Sequence, residues 1–351
     1  MIHLQRERLR SLRSTTPTLA DVRAVLQDAI ELEHATIPVY LYALYSLDPS
    51  KNGAVAAIIE SVVMEEMLHM LLVANVLNAI GGQPDIAAPG FVPRYPGPLP
   101  GDVEGELIVH LAPFSQDQLS AFLTIEQPEN PLVFKHVPGE DDGRVTIGEF
   151  YAAISASLAR LDPSVFSNTP RNQVGPDLFT GSIVVTDLKS AQAAINLIVE
   201  QGEGTSTSPE EAGGGGFAHY YRFMQIRKGH ALVKNPGVNP PQKRYSYSGA
   251  PISIDPDGVY ALPTNPKSAD YPDGSAQRYA SDRFNYTYTA LLNCLHCLFG
   301  GEETARQLDV AVGLMMSLKG QAKAMASGVP NPAIIIGPSF EYQAGNPPGP
   351  A

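Results

Sequence analysis

The sequence predicts an all-α fold: a helical bundle with a long crossover after its second helix and a helical extension at its C-terminal end. Three observations predict it. Two long helical patterns follow one another at about 18–47 and 53–80, separated by the breaker "DPSKNG" and stopped by Gly81 and Gly82. Helical patterning returns at "TIGEFYAAISASLARL", "TDLKSAQAAINLIVEQGEG" and "FAHYYRFMQI". It returns once more at "NYTYTALLNCLHCLFGG" and "TARQLDVAVGLMMSLKGQAKAMA".

In chain order, the first helix turns Val22, Leu26, Ala29, Ile37, Tyr40 and Leu44 to one face at about 100° per residue. The second carries an apolar stripe of Ile58, Val62, Val73, Val76 and Ile80. Residues 83–145 change character, with the proline-rich "PGFVPRYPGPLPG", the alternating "ELIVHLAPF" read as a strand, and the short helix "SQDQLSAFLTI". In "TDLKSAQAAINLIVEQGEG", Thr186 or Asp187 serves as N-cap and the glycines as the stop. Pro, Gly, Ser and Tyr dominate 234–280, as in an ordered irregular excursion or a flexible connection, and the tail "NPPGPA" should fray. The expected organisation is a bundle over 1–232 with its insertion at about 83–145, followed over 233–351 by an irregular connection and helices packed on the bundle.

A formal charge of −12 argues against a nucleic-acid partner, whose phosphates would need clustered Lys and Arg. Two cysteines, Cys294 and Cys297, cannot make a disulfide framework for 351 residues, and with His296 on a leucine-bearing helix they read as packing residues. The N-terminal "MIHLQRERLRSLRSTTP" lacks an apolar core, and no stretch reaches the roughly 18 apolar residues of a membrane span. A soluble cytoplasmic protein is the expectation, with no membrane partner; whether it is a homo-oligomer stays open.

The chemistry lies in "MEEMLHMLLVANVLNAIGG", a core helix holding Glu65, Glu66 and His69. Buried charges are costly unless paired, hydrogen-bonded or bound to metal. Glu33 lies near the centre of the first helix's apolar face, and Glu66 and His69 straddle the stripe of the second. Residues three apart are neighbours on a helix, so Glu66 and His69 can converge on one ion. One Glu plus a neighbouring Glu-x-x-His is half of a di-iron carboxylate site. The competing reading is a buried ion pair or polar network tying two helices together. The other half has more candidates than places: Glu200 and Glu203 in "LIVEQGEG", His219 in "FAHYYRF", and Glu149 at a helix start. Helix capping or loop bonding competes for the first three, and a first-turn carboxylate role for Glu149. "GGGG" at 213–216 lacks the Lys of a phosphate-binding loop, and the tyrosines of "RYSYSG" and "FNYTYT" suit a pocket or ordinary packing.

Together "ELEHATIPVYLYALYSL", "EEMLHMLLVANVLNAIGG", "TIGEFY", "IVEQGEGT" and "AHYYRFMQI" resemble the ferritin-like family of the iminophenyl-pyruvate dimer synthases of violacein-type indole pigment pathways. "FNYTYTALLNCLHCLF", "AVGLMMSLKGQA" and "GPSFEY" resemble the C-terminal extension of many members. The resemblance implies a ferritin-like four-helix bundle and oxidative chemistry on amino-acid-derived imines. Residue by residue it implies Glu33, Glu66, His69, Glu200, Glu203 and His219 as metal ligands. One departure stands out: a second Glu-x-x-His would need Glu at the position of Gly216.

The resulting expectation is a non-haem di-iron oxidase or oxygenase with two iron ions per chain, manganese being a second option, acting on a small organic substrate with dioxygen. Tyr40 is the candidate hydrogen-bond donor to the ligands and the candidate catalytic side chain. The alternative is a non-catalytic metal-binding or structural ferritin-like protein, for which Gly216 is the main argument.

Overall fold

The computed structural model describes residues 17–100, 107–128, 146–167, 171–204, 208–210, 216–238, 244–302, 304–329 and 331–345. The basic N-terminal stretch, most of the glycine loop and the "NPPGPA" tail lie outside them. Among the described residues are eight α-helices: α1 (Leu19–Tyr45), α2 (Pro49–Ala79), α3 (Gln116–Ile125), α4 (Ile147–Leu158), α5 (Leu188–Glu203), α6 (His219–Lys228), α7 (Ala276–Phe299) and α8 (Thr304–Ser327). Two short antiparallel hairpins accompany them: β1 (Gly97–Pro98) with β2 (Ile108–Val109), and β3 (His230–Lys234) with β4 (Tyr245–Pro251). No helix among the described residues is long and apolar enough to cross a membrane.

Helices α1 and α2 form the central antiparallel pair. Thr18 opens α1 through a capping box with Asp21, its hydroxyl and backbone amide both paired to that residue. The second helix starts earlier than its sequence suggests, because Asp48 caps it and Pro49 takes the first helical position. The breaker survives as a kink at Asn52 (φ −115°, ψ 33°), whose side-chain amide donates to the carbonyls of Asp255 and Gly258. Thus the bend in α2 is tied to the C-terminal half of the chain.

On one side of this pair lie α4, α5 and α6, with α3 from the crossover packed on α6. On the other lie α7 and α8, a second helical hairpin contacting α2 and α1 respectively. One core cluster runs through both sides, from Val22 and Leu26 in α1 to Phe284, Leu292 and Met325 in the extension. Asp187 is the N-cap of α5, one of the two residues expected for that role.

Two sequence expectations change. The strand expected in "ELIVHLAPF" shrinks to Ile108–Val109, since its partner is only the dipeptide Gly97–Pro98. The irregular stretch 234–280 contains a regular strand, β4, which pairs Tyr245 with Lys234 and Tyr247 with Leu232. The alternating Tyr and Ser of "RYSYSG" were its period-two signal.

Candidate metal centre

Five side chains from four elements of the chain meet inside the bundle. Glu33 comes from the middle of α1, Glu66 and His69 from α2, Glu126 from the C-cap of α3, and His219 from the first turn of α6. All are at most 4% exposed. They form two donor groups, Glu33–Glu66–His69 and Glu66–Glu126–His219, in each of which the candidate ligand atoms lie within 4.8 Å of one another. Glu66 belongs to both.

The two histidines are used alike. His69 turns Nδ1 toward Glu33 Oε2 (3.4 Å) and Glu66 Oε2 (3.9 Å), while its Nε2 meets Gln201 Oε1 at 3.0 Å. His219 turns Nδ1 toward Glu66 Oε1 (3.0 Å) and Glu126 Oε2 (3.3 Å), while its Nε2 meets Glu65 Oε2 at 2.9 Å. Their rings stack with centroids 5.3 Å apart. An acceptor on Nε2 fixes the proton there and leaves the Nδ1 lone pair for a ligand role.

The carboxylates are held just as directionally. Glu33 accepts from the Tyr151 hydroxyl, Glu126 from the Tyr40 hydroxyl, and Glu66 from Thr36 Oγ1 at 3.2 Å. Burial, reinforced by the neighbouring carboxylates, pushes Tyr40 and Tyr151 well above the ordinary phenol range, so both remain donors. Around Tyr40, Phe122 and Phe223 close an aromatic wall that keeps water off this end of the cluster.

Burial raises Glu66, and the Glu126 charge adds to it, so Glu66 sits well above the usual carboxylate range despite His219. For His219, burial would lower the imidazole, but Glu126, Glu65 and Glu66 outweigh it and raise it well above its ordinary value. Burial also works against an ionised Glu33; His69, Glu66 and Tyr151 overcome it and hold that carboxyl low. Three buried carboxylates thus crowd one space, and the nearby guanidinium of Arg222 pairs with Glu65 at 2.8 Å. Such a donor set, all oxygen and imidazole, matches the preferences of iron or manganese and would have its negative charge balanced by them.

Measured against the sequence, Glu33, Glu66, His69 and His219 are brought together, and Tyr40 is a hydrogen-bond donor to the cluster, through Glu126. Glu200 and Glu203 are not brought in. The residue of α5 facing the cluster is Gln201, and positions 200 and 203 are turned from it by about 100° and 200° around the helix. Glu203 instead accepts from the Gly148 amide at 2.7 Å, where an added Cβ on Gly148 would collide with the carboxylate at the same 2.7 Å. Glu149 closes a capping box with Thr146. So α4 and α5 do place Glu149 and Glu203 at similar height, but both serve the start of α4.

The residues missed were Glu126, Gln201 and, as a histidine partner, Glu65. Glu126 lies one residue past its helix, and its only local signal is the four-residue spacing from buried Phe122. It stands beside His219 from the crossover, where the sequence pattern looked for a carboxylate at Gly216.

A family model described as Ferritin-like matches residues 26–228. The chain belongs to the ferritin-like family. Curated relatives include dichlorochromopyrrolate synthase of Lentzea aerocolonigenes, 26% identical over an alignment covering 94% of this chain and 37% of the relative. Another is 2-imino-3-(indol-3-yl)propanoate dimerase of Chromobacterium violaceum, 27% identical over 53% of this chain and 21% of the relative. The chain therefore spans well under half the length of these relatives. Among solved structures, a ferritin-like protein from Caulobacter vibrioides superposes with a TM-score of 0.64 at 25% identity, covering 94% of this chain and all of the other. Ferritin-like membership and similarity to two named biosynthetic enzymes agree with the family resemblance read from the sequence.

Proposed function

We propose that this ferritin-like protein is a metal-dependent oxidoreductase whose cluster would hold two iron ions, Glu66 being available to both positions. The observation that carries the reading is the pair of buried donor groups sharing Glu66. Glu33 and His69 would complete one position, Glu126 and His219 the other. Iron bound there would supply the redox chemistry by which two electrons leave a small organic substrate and pass to dioxygen.

The chain's own residues do the rest. Gln201 and Glu65 orient the two imidazoles, and Tyr151, Thr36 and Tyr40 orient the three carboxylates. Donors whose rotamers are fixed in this way need little rearrangement when a ligand binds. The names of the relatives support an amino-acid-derived imine as substrate class, because one of them is a 2-imino-3-(indol-3-yl)propanoate dimerase.

Elemental analysis of untagged protein, before and after anaerobic iron loading, tests the reading together with an oxygen electrode. Two ions per chain are expected, with dioxygen uptake that depends on an added amino-acid-derived imine, and Glu66→Ala should lose both ions. No metal after loading, or loaded protein that consumes no dioxygen with any such imine, would replace this reading with the non-catalytic one.

A further inference from the structure

A cavity of about 230 Å³ lies on the side of α1 and α2 facing the C-terminal hairpin, and no member of the metal cluster lines it. Five of the chain's eight methionines, Met64, Met67, Met70, Met315 and Met316, form its wall. Methionine surfaces adapt to varied apolar shapes. The cavity opens beside Met64, Val312 and Met316, which are 50%, 45% and 65% exposed, so a solute has a way in.

Its polar equipment is small and specific. Glu60 and Lys319 at the lining pair with each other, leaving no net charge for an ionic ligand. Deeper in, His34 is 3% exposed and Tyr288 4%. The Tyr288 hydroxyl and His34 Nε2 are 2.8 Å apart, and His34 Nδ1 is buried without a hydrogen-bond partner among the described residues. A phenol is the better donor and an imidazole nitrogen the better acceptor, so the hydroxyl donates to Nε2 and the imidazole proton sits on Nδ1. A buried N–H left without an acceptor is costly, which gives a reason to look for one in a ligand.

We propose that this cavity binds a neutral, compact, mostly apolar molecule bearing one hydrogen-bond acceptor, to which the N–H of His34 Nδ1 donates. An apolar cavity of about 150 Å³ takes up benzene, so this one admits a substituted ring. The proposal stands apart from the metal reading, since its lining and the cluster share no side chain.

Acetophenone and α-methylstyrene, which differ by a carbonyl oxygen in place of a methylene, are the probes, titrated into the full chain by ligand-observed NMR. Acetophenone should bind about tenfold more tightly. Met315→Trp should abolish binding of both by filling the cavity; if that variant unfolds, Val312→Trp at the mouth makes the same test. His34→Phe should bind both probes equally, with metal content measured alongside because His34 adjoins Glu33. Failure of both probes to bind, equal binding to the unaltered chain, or undiminished binding to the folded tryptophan variants would overturn the proposal.

Discussion

Replacing Gln201 by leucine isolates one half of the proposed metal centre. Gln201 is 8% exposed and His69 2%, so water cannot stand in for the amide oxygen 3.0 Å from Nε2. A leucine of similar size leaves a buried imidazole N–H without an acceptor, at a cost of about 1–3 kcal/mol. An imidazole freed from such a partner typically loses about 10- to 100-fold in metal affinity, which is about 1.4–2.8 kcal/mol. The two estimates agree, so the loss should fall in that range and only at the position served by Glu33 and His69. The position served by His219 keeps its own anchor, Glu65. Equilibrium dialysis against ferrous or manganous ion, read by elemental analysis, should show one unchanged and one weakened ion per chain. Gln201→Glu, which keeps an acceptor on Nε2, should restore the second. Equal weakening at both positions, or none at either, would refute the assignment of Gln201 as the group that orients His69.

Glu126→Ala should lower metal content from two ions to one, because the Glu33–Glu66–His69 group stays whole, as elemental analysis would show. Asn75→Leu should cost about 3 kcal/mol or more in denaturant unfolding: the buried amide donates to Val174 and Ile183 carbonyls at 3.0 Å each and accepts from the Val174 amide at 3.1 Å, all left unpaired. Glu210, held below its usual range by its hydrogen bond to Lys234 and then by Tyr245, binds fewer protons folded than unfolded. Its contribution is therefore present at neutral pH and lost as pH falls through the folded value; solvent screening keeps it under about 1 kcal/mol. Amide protection factors in the β3–β4 hairpin, from exchange rates corrected for their intrinsic pH dependence, should fall between neutral and acidic pH, and Glu210→Gln should flatten that change.

What the sequence revealed follows from the range of the forces involved. Helices α1 and α2 and the inward aim of Glu33, Glu66 and His69 depend on local periodicity, which is written in consecutive residues. The start of α2 was misplaced because "DPSKNG" holds both a good cap and a breaker, and only packing against 255–258 reveals that the helix runs through. Glu126 and Gln201 were invisible for another reason. Each acquires its role from a histidine more than ninety residues away, through a docking angle that no local pattern encodes. Glu200 and Glu203 drew attention because they are acidic, whereas the position facing His69 carries a neutral amide. The cavity was foreshadowed only by Tyr288 in "FNYTYT", and its methionines came from two helices that the sequence does not pair.

That Glu126 lies on the crossover would make occupancy of the proposed Glu66–Glu126–His219 position a folding variable for a segment outside the helices that hold the other donors. An ion that binds at that position only when α3 is docked would stabilise the docked form by mass action, by about 2.7 kcal/mol at a free concentration of about 100 times Kd. Metal supply would then set how long α3 stays seated against α6, and with it the aromatic wall of Phe122, Tyr40 and Phe223. A protease cutting within α3 would then report whether that position is filled: slow digestion with the metal bound, fast without it.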